Sequence, residues 1–230
     1  MSEKSFNRFI WVSFTVIALV YLACMVAIDL MNLDSSQYAL ISKEMFLSGS
    51  YLQVFCREAD FLDKPPLLFW LACLSFKIFG IHDWAFRLPS FLVLALGVYS
   101  LFRFARLYYD SRVAKLAALI MATSVASYCM ITDVRTDTLL AGWVMFSIWQ
   151  LAEFNNKLRF KNLLLGSIGI GMAMLTKGPI GLVVPVIAFS CEFLYKRQWK
   201  NFFRWQYLPA IGVIALMLLP MSYGPYTQFD

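Results

Sequence analysis

The sequence predicts an all-α, polytopic membrane protein with about seven transmembrane helices and two interfacial helices in its first outer loop. Three observations carry that reading. Hydrophobic residues make up 60 % of the 230 residues and charged residues only 15 %, whereas a soluble domain is roughly half apolar and a quarter charged. Apolar runs long enough to cross a bilayer recur along the chain. Basic residues gather between alternate runs, as they do in cytoplasmic loops. The aromatic content of 17 % suits interfacial belts of Trp and Tyr.

The first expected span is Phe9–Met31. It is too long for a signal-peptide core and lacks an A-x-A cleavage site. "YLAC" before Met25 faintly resembles a lipoprotein box, but Tyr21 fits its first position poorly. The next spans are Trp84–Tyr108, Val113–Ile131, Thr138–Phe154, Asn162–Leu175, Pro179–Tyr195 and Leu208–Met221. Asn162–Leu175 is short and calls for a thinned or tilted setting. Four basic groups punctuate them: Lys4 and Arg8; Arg103, Arg106, Arg112 and Lys115; Lys157, Arg159 and Lys161; Lys196, Arg197, Lys200 and Arg204. With all four in the cytoplasm the seven spans alternate without conflict, and the N-terminus is cytoplasmic. Most acids then lie outside: Asp34, Glu44, Glu58, Asp60, Asp63, Asp83, Asp133 and Asp137. The net charge of +6 is therefore a topology signal, with no nucleic acid partner implied. The five cysteines show no paired spacing and are expected as small buried hydrophobes, neither disulfides nor metal ligands.

Residues 32–87 form the first outer loop, and a loop of that length with structure of its own is usually functional. In Ser36–Ser48, Tyr38, Ile41 and Met45 with Ala39 and Phe46 make one apolar face, and Ser42, Lys43 and Glu44 lie on the other. Pro66–Gly80 is also apolar, but about 15 residues fall short of the roughly 20 needed to span. A crossing there would also move every later basic group outside. It is expected to lie in, or dip into, the outer interface, started by Pro65 and Pro66, since proline is tolerated in a helix's first turn.

Charged residues collect at this outer boundary, beside proline and glycine breaks. Asp34 follows the first span; Asp63 and Lys64 open the second interface helix. "TDVRTD" places Asp133, Arg135 and Asp137 between two spans, and "LTKGPIG" places Lys177 in an outer turn. Singly, each has a plain role: Asp34 as an N-cap, Lys64 snorkelling to headgroups, Asp133 and Asp137 favouring a helix N-terminus. Together, at one boundary, they are functional candidates. "GSIGIG", Gly166–Gly171, has the wrong spacing for a nucleotide loop and reads as close helix packing. Glycosyl transfer from a lipid-phosphate-linked sugar suits carboxylates and cations at a membrane surface. A base takes the acceptor's proton, and the leaving phosphate needs cations more than a strong acid.

The ordered set "LDSSQYALISKEMFLSGSYL", "DKPPLLFWL", "FRLPSFL", "RTDTLL" and "LTKGPIGLVVP" resembles the C-type glycosyltransferases of the dolichyl-phosphate-mannose-protein mannosyltransferase family, nearest to the bacterial lipid A aminoarabinose transferases. The likeness covers essentially the whole chain, and its ending, "LPMSYGPYTQFD", is similar to a point midway along such proteins. The resemblance implies that residues 1–230 are the N-terminal part of a membrane glycosyltransferase domain, inactive without the family's C-terminal half. It implies Asp34 as general base, Lys64 near the donor phosphate, and Asp63 and Asp137 as supporting acids. Gln37, Arg135 and Lys177 complete the expected donor- and phosphate-binding set. The implied reaction is inverting transfer of a sugar from a polyprenyl-phosphate donor to a lipid A-like or protein hydroxyl. It would take place on the periplasmic face of the bacterial inner membrane. A divalent metal stays open, because a carboxylate cluster could hold one although no ligand spacing compels it.

Two positions depart from the family pattern. Ser35 stands where relatives often have an acid, and Gln37 where aminoarabinose transferases have Arg; Gln37 donates a hydrogen bond but brings no charge. Sugar and acceptor are not named by the sequence. The alternative reading is a transporter or flippase fragment, which would place ionisable groups near the midplane, often within internal repeats. Here the charges keep to one boundary and the second half does not repeat the first. A noncatalytic scaffold would leave Asp34, Asp63, Lys64 and Asp137 without a reason.

Overall fold

The computed structural model describes residues 2–30, 32–57 and 59–229, the last five of these as backbone alone. Met31, the end of the first expected span, and Glu58, one of the expected outer acids, lie outside them. Helices α1 (Glu3–Ala27) and α2 (Leu33–Ser48) come first. A two-residue hairpin follows, β1 (Phe55–Cys56) with β2 (Ala59–Asp60), and then α3 (Leu67–Phe79). The remainder is α4 (Asp83–Tyr108), α5 (Ser111–Thr123), α6 (Val125–Thr132), α7 (Thr136–Lys157), α8 (Phe160–Lys177), α9 (Ile180–Tyr195), a 3-10 turn (Trp199–Phe203) and α10 (Tyr207–Phe229). The architecture is all-α and polytopic.

Among the described residues, α1, α4 and Tyr207–Gly224 of α10 are long and apolar enough to cross a bilayer singly. The expected third span, Val113–Ile131, is not one helix. It breaks at Ser124 into α5 and α6, which bend by 44°. The cause is local: the Ser124 hydroxyl accepts the Ser127 backbone N–H at 3.2 Å and so caps a new helix. Taken as one bent unit, α5 and α6 make a fourth candidate span. Helices α7, α8 and α9 are shorter in apolar length, and α8 packs against α7, α9 and α10.

Both expected interface helices form, but they pack on the bundle rather than rest on it. Tyr38, Ile41 and Met45 of α2 meet Leu68, Phe69, Ala72 and Cys73 of α3 in the largest apolar cluster, which Phe86 of α4 and Leu139 of α7 complete. Ser42, expected on the polar face, is fully buried, its hydroxyl donating to the Tyr38 carbonyl at 2.7 Å. A helical hydroxyl satisfied by its own backbone tolerates burial. The hairpin was not expected from the sequence, since two residues per strand leave no alternation to read. The cysteine expectation also changes: all five are free and Cys73 is buried, whereas Cys129 and Cys191 are exposed.

Helices α4 and α7 start at the same end of the molecule and meet backbone to backbone. A Cβ on Gly142 would lie 2.4 Å from the Val93 carbonyl oxygen, a separation only glycine permits. The "GSIGIG" run packs as expected, Gly166 against Leu151 of α7 and Gly171 against Met217 of α10. Arg87, with no exposed surface, sits near the start of α4. Its Nε donates to the Thr132 carbonyl at 2.9 Å and its Nη1 to the Met25 carbonyl at 2.8 Å. It thereby holds the C-terminal turns of α6 and α1, where carbonyls lack helical partners and a cation is favoured. This clamp fixes the rim from which α2 and α7 begin.

Candidate active site

Asn32 caps α2. Its side-chain oxygen accepts the Asp34 backbone N–H at 3.1 Å, and its own N–H donates to Asp133 Oδ1 at 3.3 Å. The cap role that Asp34 had as its plain alternative therefore belongs to Asn32. Asp34 is exposed in the first helical turn, where partial positive charge favours a carboxylate. Its carboxylate has no hydrogen bond or ion pair among the described residues.

One turn on, Tyr38 is buried against Phe69, ring centroids 6.0 Å apart. Burial pushes its phenol above the ordinary value; Asp34, Asp137 and Asp63 push the same way, and Arg135 opposes them. Four expected site residues from three stretches of chain thus act on one side chain. At neutral pH Tyr38 is protonated, as an ordinary tyrosine is, and its hydroxyl can donate a hydrogen bond.

Beside this group lies a cavity of about 270 Å³, lined by Asp63, Lys64, Pro66, Lys177, Gly178 and Met221 among others. Three elements build it. The Phe61 N–H donates to the Val54 carbonyl at 2.9 Å, and the Trp70 indole N–H to the Tyr51 carbonyl at 2.6 Å, so the stretch before α3 is tied down. Gly178, at φ 72°, turns the chain sharply between α8 and α9, a backbone conformation suited to glycine. Met221 of α10 forms a further wall. Lys177 is ion-paired to Asp137. Lys64 and Arg135 have no hydrogen bond or ion pair among the described residues.

The expected set therefore divides in two. Asp63, Lys64 and Lys177 line the cavity, with Asp137 tethered to Lys177. Asp34 and Arg135 act on Tyr38 and do not line the cavity. Gln37 turns to the hairpin, its Nε2 3.8 Å from Cys56 Sγ. Among the described residues no group of three or more His, Cys, Asp or Glu side chains is placed to hold a metal ion. Sequence reasoning missed Tyr38 as a polar member of the site, although its i+4 spacing from Asp34 was a signal. It also missed the Asn32 cap and the Arg87 clamp. Chemically, the arrangement offers an unpaired carboxylate that can accept a proton and an unpaired ammonium beside a cavity that can receive an anion.

Residues 63–223, most of the chain, match the family model described as dolichyl-phosphate-mannose-protein mannosyltransferase. Among curated relatives, an undecaprenyl phosphate-α-4-amino-4-deoxy-L-arabinose arabinosyl transferase of Proteus mirabilis is 30 % identical over 192 residues, 81 % of this chain and 34 % of that protein. One from Erwinia tasmaniensis is 26 % identical over 91 % of this chain and 38 % of its own length. The chain thus spans between a third and two-fifths of these relatives. Among solved structures, apo ArnT from Cupriavidus metallidurans superposes with a TM-score of 0.86 at 22 % identity, over 94 % of this chain and 41 % of that one. The same protein bound to undecaprenyl phosphate gives 0.85 over 96 % of this chain. Both share this fold, and the apolar helices mark an integral membrane protein.

Proposed function

Because the chain belongs to the dolichyl-phosphate-mannose-protein mannosyltransferase family, we propose that it carries the acceptor-activating and phosphate-binding part of a membrane glycosyltransferase. The reaction is transfer of a sugar from an undecaprenyl-phosphate-type donor to a hydroxyl of a lipid A-like or protein acceptor. The acceptor oxygen attacks the anomeric carbon and Asp34 takes its proton. The bond from that carbon to the phosphate oxygen breaks, and polyprenyl phosphate leaves. Attack opposite the leaving group inverts the anomeric centre. Lys64 stabilises charge on the departing phosphate, with Arg135, Lys177 and Gln37 as further donors toward the phosphate or sugar, Asp137 holding Lys177 in place and Asp63 supporting the site as a second acid. In this reading the chain crosses the bacterial inner membrane seven times, with its N-terminus cytoplasmic and the site periplasmic.

The observation that carries the proposal is the cavity lined by Asp63, Lys64 and Lys177, with Asp137 ion-paired to Lys177; the charges of Asp34 and Arg135 also bear on Tyr38. The donor class is supported by the names of the relatives, which specify undecaprenyl phosphate-linked aminoarabinose. The test is Asp34→Asn in the chromosomal gene, with mass spectrometry of lipid A and of envelope glycoproteins. Loss of a general base lowers turnover by about 10²–10⁴-fold, so one sugar should disappear from one acceptor while the protein persists in the membrane. An unchanged sugar inventory at matched protein abundance removes Asp34 from the chemistry.

A further inference from the structure

Two cavities far from the candidate active site adjoin each other. One is an apolar groove of about 410 Å³ between α1, α4 and α5, walled by side chains such as Phe14, Ile17, Phe91, Leu94 and Ala118. The other, about 430 Å³, opens where α4 and α7 end, and is lined by Arg103, Arg106, Lys157 and Glu153. Tyr99 and Phe102 of α4 belong to both. One stripe of α4 therefore runs from apolar residues, Phe91 to Val98, through Tyr99 and Phe102, to the cations Arg103 and Arg106.

The charges in the second cavity do not balance, with three cations against one carboxylate. Glu153 is held by Lys157 at 2.6 Å and approached by Arg103 at 3.7 Å. Arg103 also donates to the Tyr99 hydroxyl at 2.8 Å and lies over the Trp149 ring. Arg106 has no hydrogen bond or carboxylate partner among the described residues and only flanks the Phe102 ring. From Phe91 to Phe102 the stripe rises by eleven residue steps, about 16 Å at 1.5 Å per residue, or roughly half of a ~30 Å hydrocarbon core. Apolar depth of one leaflet, with surplus positive charge at one end, is the outline of a lipid with an anionic head.

We propose that the two cavities form one site for an anionic phospholipid of the leaflet opposite the candidate active site. Its phosphate rests against Arg103, Arg106 and Lys157, and one acyl chain lies in the groove of α1, α4 and α5. Basic pockets between helices at a membrane surface recognise such headgroups through charge-assisted hydrogen bonds. A second copy of the chain would fill the groove but would bring no reason for the cations at its end.

Native mass spectrometry of the full chain in detergent, offered phosphatidylglycerol and phosphatidylcholine with identical acyl chains, tests this. The expected result is a monomer retaining one phosphatidylglycerol, favoured roughly tenfold over phosphatidylcholine. Arg106→Gln removes an unpaired cation and should leave the melting temperature unchanged while cutting that preference several-fold. Ala95→Trp, on the exposed wall of the groove, should lower retention of both lipids. Equal retention of the two lipids by the wild type overturns the proposal. So does a preference indifferent to Arg106→Gln, retention indifferent to Ala95→Trp, or a lipid-free dimer.

Discussion

Lys64 and Lys177 line the same cavity but are not equivalent. Lys177 is neutralised by Asp137, and Lys64 has no partner among the described residues. A charged hydrogen bond to phosphate is worth roughly 1.5–3 kcal/mol, about one to two decades of affinity. Lys64→Ala should therefore weaken binding of undecaprenyl phosphate about 10–100-fold, and Lys177→Ala by clearly less. Equilibrium binding in detergent, by calorimetry, checks the order; equal losses would mean that the Lys177–Asp137 pair opens for the ligand. Most of these residues were legible in the sequence, because Asp63, Lys64, Asp137 and Lys177 each stand at a proline, glycine or helix start. Tyr38 was legible only in part: its i+4 spacing from Asp34 is local, but the other charges that act on it are brought in by α7 and by the stretches before α7 and α3. The distinction between the two lysines was not legible, because it arises only when α7 and α8 lie side by side.

The helices themselves were legible because apolar runs and their breaks are local. Where the reading failed, a short polar contact decided the outcome. One serine hydroxyl splits α5 from α6, and Asn32 takes the cap that Asp34 seemed to offer. The packing of α2 on α3 has a consequence for pH. Burial pushes the Cys73 thiol up to about 11, from an ordinary 9.0, and the Tyr38 phenol is raised as well. Both groups are neutral when protonated, so the folded state holds its protons more tightly than the unfolded chain. Their contribution is fully present below the unfolded value and is lost as pH rises through the folded one. Thermal stability should thus fall between about pH 9 and 11, and the fall should be smaller in Cys73→Ala. Melting curves across that range decide it; identical alkaline losses in both proteins would place the sensitivity elsewhere.

At the scale of the whole molecule, the candidate site and the cationic pocket lie at opposite ends of α4 and α7. Asp83 and Asp137 open these two helices, and Arg106 and Lys157 close them. Sixteen residues separate Asp137 from Glu153, about 24 Å of helix, most of a ~30 Å hydrocarbon core. In the proposed topology a bilayer laid across that length would leave the α2–α3 unit on one side and the basic ends on the other, the side that the positive-inside rule assigns to the cytoplasm. Helix α3 bears on this directly. Its Leu68, Phe69 and Ala72 are fully buried among α2, α4 and α7, while Leu74, Ile78 and Phe79 are exposed; at 13 residues the helix falls well short of the roughly 20 needed to cross alone. Single cysteines at Gln53 and His82, on either side of α3, should therefore both react with an impermeant maleimide from the periplasm. A cysteine at Lys161, in the first turn of α8, should react only after the membrane is opened. The native cysteines must first be replaced, since Cys129 and Cys191 are exposed. If position 82 were reached only from the cytoplasm, α3 would be a span. Asp63 and Lys64 would then lie on the opposite side from Asp83, and the shared site would no longer exist.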